Sequence, residues 1–225
     1  MYLHYVFDLW ADRWRRRRAR GEVIILRFAD DYIVGFEHRD DAERFLAELR
    51  DRLAQFCLEL AAEKTRLIEF GRFAVGHRQK RGLGKPETFG FLGFTHIGTK
   101  DRDGRFALRR VTDKKRLRRK LRAVKDELKR RRHLPIPVQG QWLERVVRGH
   151  YGYYAVPGNI AAITTFHTQV KLHWYRALRR RSQRTSLDWN RMDRLAARWL
   201  PPPRIMHPWP SVRFNARTQA RSPVR

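Results

Sequence analysis

The hydrophobic pattern changes character at Thr112, and this switch limits the possible folds more than any other feature. Before it, apolar residues come in runs of strand length: Val23-Ile24-Ile25-Leu26, Tyr32-Ile33-Val34-Gly35-Phe36, Phe89 to Ile97 and Arg105 to Val111. After it they recur at helical spacing, with Leu117, Leu121, Val124 and Leu128 on one stripe. The fold class that follows is α+β, an antiparallel sheet with helices followed by a helical bundle. With 225 residues, 42% of them hydrophobic, the chain is long enough for one or two domains with a real core.

Charge follows a similar division. Residues 1–70 hold 13 Lys and Arg against 14 Asp and Glu, whereas the remainder holds 38 against 9. A net charge of +28 concentrated in one part points to a polyanionic partner, nucleic acid first. Mean hydropathy is −0.70 and no apolar run approaches membrane length, which argues against a membrane span. The first ten residues mix aromatic and acidic side chains, unlike a secretory leader. A single cysteine, Cys57, excludes an internal disulfide and a cysteine-rich zinc site. The expected location is the cytoplasm.

Along the chain, Leu3, Val6, Phe7, Trp10 and Trp14 predict a helix that ends in the run Arg15 to Arg18. The run from Val23 has the composition of a strand covered on both faces. Asp30-Asp31 separates it from the run at Tyr32 and predicts a tight hairpin with both acids at the turn. Asp-Asp is poorer turn chemistry than Asp-Gly, and such local conflicts occur at sites. Asp40-Asp41 opens a helix with the stripe Phe45, Leu46, Leu49, Leu53 and Phe56, next to which Cys57 reads as buried filler. Leu58 to Leu60 reads as extended, Glu63-Lys64-Thr65 as a turn, Arg66 to Phe70 as a strand, and 71–88 as a loop. A second hairpin turns at Asp103-Gly104. Thr112 is the expected cap of a helix over 112–132 that Pro135 and Pro137 end. Helices follow over 139–155, from Asn159 to about Arg181, and from Leu187 to Leu200 before Pro201-Pro202-Pro203. Tyr151, Tyr153 and Tyr154 read chiefly as packing residues, and the histidines lack metal-ligand spacing.

Two neighbouring carboxylates at a hairpin repel each other unless a cation joins them, and hard oxygen ligands suit Mg²⁺. Arg27-Phe28-Ala29-Asp30-Asp31, between two apolar runs, resembles the catalytic hairpin of reverse transcriptases. The order of later motifs resembles the group II intron reverse transcriptase/maturase family. Leu58-Glu59-Leu60 through Glu63-Lys64-Thr65 is similar to its next palm motif, and Phe89 to Phe94 to its primer grip. Gly149-His150-Tyr151-Gly152-Tyr153-Tyr154 with Pro157-Gly158-Asn159 resembles its maturase-specific thumb, which His207-Pro208-Trp209-Pro210 with Arg213-Phe214 closes.

The resemblance implies a partial palm over 1–111, a helical thumb over 112–200 and a basic tail over 201–225. It implies an RNA-directed DNA polymerase using Mg²⁺, with Asp30 and Asp31 as metal ligands and catalytic acids and Lys64 beside the triphosphate. Phe91, Leu92, Gly93 and Phe94 would position the primer. Arg109, Arg110, Lys114, Lys115, Arg118, Arg119 and Arg122 would follow phosphates, with steep salt dependence. The implied partners are template or intron RNA, a DNA primer and deoxynucleotide triphosphates, with no membrane. The family's further palm aspartate and its fingers have no counterpart here, and Phe28 stands where tyrosine is usual. The expected reading is therefore a fragment inactive alone, and a separate N-terminal fingers/palm polypeptide is left open as a partner. The competing expectation is a non-catalytic maturase module that binds intron RNA and assists splicing.

Overall fold

The computed structural model describes residues 2–101, 103–181 and 187–209. Two units divide the chain, Met1–Glu69 and Phe70–Arg225. The change of pattern at Thr112 falls inside the second.

In the first unit, a π-helical turn His4–Asp8 runs into α1, Leu9–Arg17, and then comes the antiparallel hairpin of β1, Val23–Phe28, and β2, Asp31–Phe36. Helix α2, Arg39–Ala54, follows. Val6, Phe7, Ala11 and Trp14 pack with Val23, Phe45, Leu49 and Leu53 into one core. Trp14 and Phe45 meet edge to face at 5.0 Å, the arrangement the ring quadrupole favours. Asp41 does more than face the helix dipole. It is buried, accepts the amides of Arg20 (2.8 Å) and Gly21 (3.3 Å), and pairs with Arg44. Burial acts to raise its pKa, but these bonds outweigh it and hold the carboxyl below its ordinary value.

Several sequence expectations are corrected in this unit. Strand β1 is covered on one face only: Val23 is buried, but Ile24, Leu26 and Phe28 are 61%, 54% and 63% exposed. Within the described residues of this unit, the aromatic core backs one face of the two-stranded sheet and none packs on the other. The two-residue turn is Ala29-Asp30, not Asp30-Asp31, because Phe28 pairs with Asp31 at the end of the ladder. Cys57 is exposed and not on a helix face. It occupies the left-handed position that ends α2 (φ 55°), with Cys57 N–H on Ala54 O and Leu58 N–H on Leu53 O, a Schellman ending where glycine is usual. Arg66 to Phe70 forms no strand, since no sheet edge pairs with it.

In the second unit, part of the expected loop 71–88 is a short helix, α3, Ala74–Lys80. A three-stranded antiparallel sheet follows: β3, Phe89–Phe91; β4, Phe94–Lys100; β5, Phe106–Thr112. The expected hairpin at Asp103-Gly104 is the β4–β5 connection, ordered by the Asp101 carboxylate, which accepts the amides of Asp103 and Arg105. Leu92-Gly93 adds a second turn that the continuous apolar run had hidden.

Helices α4, Lys114–Arg130; α5, Ile136–Tyr154; α6, Ile160–Arg179; and α7, Trp189–Trp199, form the bundle. Its core joins Val124 and Leu128 to Leu143, Val147, Phe166 and Trp174. Asp113, not Thr112, caps α4 by accepting the Arg116 amide at 2.8 Å. Thr112 is instead the buried end of β5, tied by two hydrogen bonds to the Asn159 side chain. Pro137 begins α5 rather than ending α4, because first-turn amides need no helical partner. Of the basic tail and the closing motif, Pro210, Arg213, Phe214 and the rest of 210–225 lie outside the described residues.

Candidate active site and nucleic-acid interface

The β1–β2 tip is held in a strained form. Ala29, first of the two turn residues, has φ 55°, a region that costs a non-glycine residue about 1–2 kcal/mol. Arg27 secures it. Its guanidinium grips Asp8 through two bonds of 2.6 and 2.5 Å and donates to Ala29 O at 2.7 Å. The hydrogen bonds from Arg27 hold the Asp8 carboxyl below its ordinary pKa. Asp8 is therefore committed to Arg27, which the sequence did not disclose because the two lie far apart along the chain.

Asp30 and Asp31 are both exposed, and among the described residues neither has an ion pair or side-chain hydrogen bond. The ladder puts Asp31 opposite Phe28, on the face that carries exposed Leu26 and Ile24. Asp30 and Asp31 are neighbours along the chain, and exposed carboxylates are the hard oxygen donors that Mg²⁺ takes alongside water and phosphate oxygens. Among the described residues no third Asp, Glu, His or Cys joins them into a metal-binding group, so the pair does not by itself build a two-ion site. Lys64 lies exposed in the turn at 62–64, and among the described residues no hydrogen bond or ion pair links it to Asp30 or Asp31.

The β3–β4 tip, in the other unit, is enclosed. Phe91 pairs with Phe94 across a turn in which Leu92 (φ 49°) and Gly93 (φ 79°) are both left-handed. Tyr153 donates its hydroxyl to Leu92 O at 2.7 Å, and the Asp113 amide donates to Gly93 O at 3.0 Å. Phe94 stacks on Tyr153 at 5.7 Å. A Cβ on Gly93 would stand 2.9 Å from the Tyr154 hydroxyl, so the close approach demands glycine. Tyr151 is the packing residue of the three, 2% exposed, and burial pushes its hydroxyl above the usual range. Tyr153 is half exposed and serves the hairpin instead.

Helix α4 brings Lys114, Lys115, Arg118, Arg119 and Arg122 to solvent, and Arg109 is exposed on β5. Arg110 differs: it sits half-buried opposite His96, and desolvation lowers its pKa. The first turn of α4 has no acidic residue and begins Lys114-Lys115-Arg116, the reverse of what the helix dipole favours. Among the described residues, the acids Asp126 and Glu127 pair with Lys129, Arg130 and Arg131 at the other end. Such unneutralised charge suits a chain of phosphates. Arg116, Lys120, Arg145 and His150 line a cleft between α4 and α5, a grouping that the sequence did not disclose. Arg145 stands outside the basic run, so only the helix packing shows that it faces α4.

No curated protein matches the chain. A family model described as reverse transcriptase (RNA-dependent DNA polymerase) matches residues 1–96, so the segment that carries the paired acids and reaches into β4 is similar to that family.

Proposed function

We propose that the chain is the hairpin-and-thumb portion of an RNA-directed DNA polymerase of the group II intron reverse transcriptase/maturase type. The observation that carries this is the pair of free carboxylates, Asp30 and Asp31, at a strained turn inside the matched segment. In the complete site Asp30 and Asp31 would hold Mg²⁺, which would supply Lewis-acid charge stabilisation for nucleotidyl transfer. Lys64 neutralises the departing pyrophosphate. The Phe91–Phe94 turn, kept rigid by Tyr153, sets the primer end, while the α4 cations follow the strand. The protein's share of the catalysis is placement and electrostatics.

Since two carboxylates do not complete a two-ion site and β1 leaves an apolar face bare, the reading includes a complementing polypeptide that brings the remaining acid and the fingers. A second reading, a non-catalytic RNA-binding maturase module that assists splicing, draws on the same contrast between a partial acid site and an ample cationic helix.

Primer extension on an RNA template with Mg²⁺ tests both. The isolated chain is expected to bind RNA and yield no product. Adding a fingers/palm polypeptide is expected to yield product that Asp30→Asn abolishes. RNA binding with no product under any complementation would leave the maturase reading, and absence of RNA binding would defeat both.

A further inference from the structure

Between α4 and α5 lies a cleft of about 480 Å³, within the usual size of a small-ligand site. Its rim is cationic: Arg116, Arg119 and Lys120 from α4 and Arg145 from α5. Among the described residues none of these side chains has a carboxylate partner. Its walls include Leu117, Val146 and Tyr154. His150, only 6% exposed, forms part of the floor of the same cleft, with its ring stacked on Phe166 at 3.7 Å.

We infer that this cleft seats one unpaired nucleotide of a bound strand, its phosphate on the Arg116–Arg119–Lys120–Arg145 rim and its base or ribose against Leu117, Val146 and Tyr154. The inference rests on the reading that α4 carries nucleic acid, and it adds a pocket that shares Arg119 with the row of cations proposed to follow phosphates. Burial and nearby Lys120 keep the His150 ring on its floor neutral, with a pKa of about 4, so the floor adds no charge for a second phosphate. Apolar walls beside cations match the two halves of a nucleotide.

Gly149 gives the means of testing this. It is exposed on α5, and a Cβ there meets nothing within 4 Å, so Gly149→Leu puts bulk into the cleft without replacing a cation. Leucine is also a better helix former than glycine, so the variant should fold. Calorimetric titration of the full chain with AMP and with inorganic phosphate is the first measurement. AMP is expected to bind at least about tenfold more tightly than phosphate, the worth of one base packed on an aromatic or apolar wall. Gly149→Leu and Arg145→Gln should each weaken AMP by about tenfold or more. The second measurement is binding to a blunt RNA–DNA hybrid, which Gly149→Leu should leave within about twofold, because that row of α4 is untouched. Equal affinity for AMP and phosphate, or AMP binding indifferent to Gly149→Leu, overturns the inference. Loss of hybrid binding by the wild-type chain would instead overturn the underlying nucleic-acid reading.

Discussion

The two units differ in how completely they bury themselves. The bundle closes on its own core, and some of its interior polar groups find one another: Trp174 Nε1 donates to Gln139 Oε1 at 3.0 Å, and Asn159 joins Thr112. The hairpin unit backs one sheet face with an aromatic cluster and leaves Ile24, Leu26 and Phe28 in water. The turns repeat this contrast. Leu92 and Ala29 are both left-handed without being glycine, yet the first is clamped by Tyr153 and the second only by Arg27 from its own strand. Charge is divided as well, near balance in one unit and strongly positive in the other. The lesson is that close packing and positive charge are concentrated in the bundle, while the hairpin unit offers acids and a bare apolar strand face.

The largest expected effect that separates the units is on the bundle core. A Cβ on Gly140 would lie 2.4 Å from the Trp199 ring, so Gly140→Ala must drive α5 and α7 apart. A loss of about 3 kcal/mol is expected, the upper range for overpacking. Amide exchange should accelerate in α5 to α7 and stay unchanged in α1 and α2; equal acceleration in both would break the comparison.

Acid should part the units next. His150 titrates near 4 when folded, against an ordinary 6.5, so the unfolded chain takes up its proton first. Its contribution is whole above pH 6.5 and is lost as pH falls towards 4, by about 3 kcal/mol at most, the free-energy equivalent of the shift. His96, His167 and His173 are shifted the same way by burial and add to the loss. In the hairpin unit Asp8 is lowered from 3.8, so its contribution begins to fail only below that value. At pH 5, exchange should therefore quicken in the bundle and not around β1 and β2, and His150→Phe should restore much of the difference.

The smallest expected effect concerns the strained tip. Ala29→Gly should stabilise the hairpin unit by about 0.5–1 kcal/mol, the left-handed penalty less the added freedom of the unfolded chain. Thermal unfolding followed at Tyr32 and the neighbouring tryptophans would show it. A loss of stability would mean the turn is not strained at Ala29.

Much of the helical half could be read directly from residue spacing, because Leu117, Leu121, Val124 and Leu128 recur with a period that only a helix satisfies. The hairpin was legible from the same kind of pattern, but its turn was read one residue late. Acid pairs attract attention at turns, whereas the register is settled by which residues face the core. The bare face of β1 was not legible, since an apolar strand looks the same whether or not something covers it. Asp8–Arg27 and the α4–α5 cleft were hidden for a related reason: both join residues that only folding brings together. Cys57 misled because its position reads as a continuing helix until the Schellman ending is seen.

The salt dependence of RNA binding tests the proposed division of labour most directly. Log affinity against log salt should fall steeply for the wild-type chain. Asp30→Asn/Asp31→Asn should keep that slope, and Lys115→Gln/Arg118→Gln/Arg122→Gln should reduce it by about 2, the release of counterions from three phosphate contacts. An unchanged slope in the triple variant, or an equal change in the aspartate variant, would contradict the assignment of phosphate binding to the bundle.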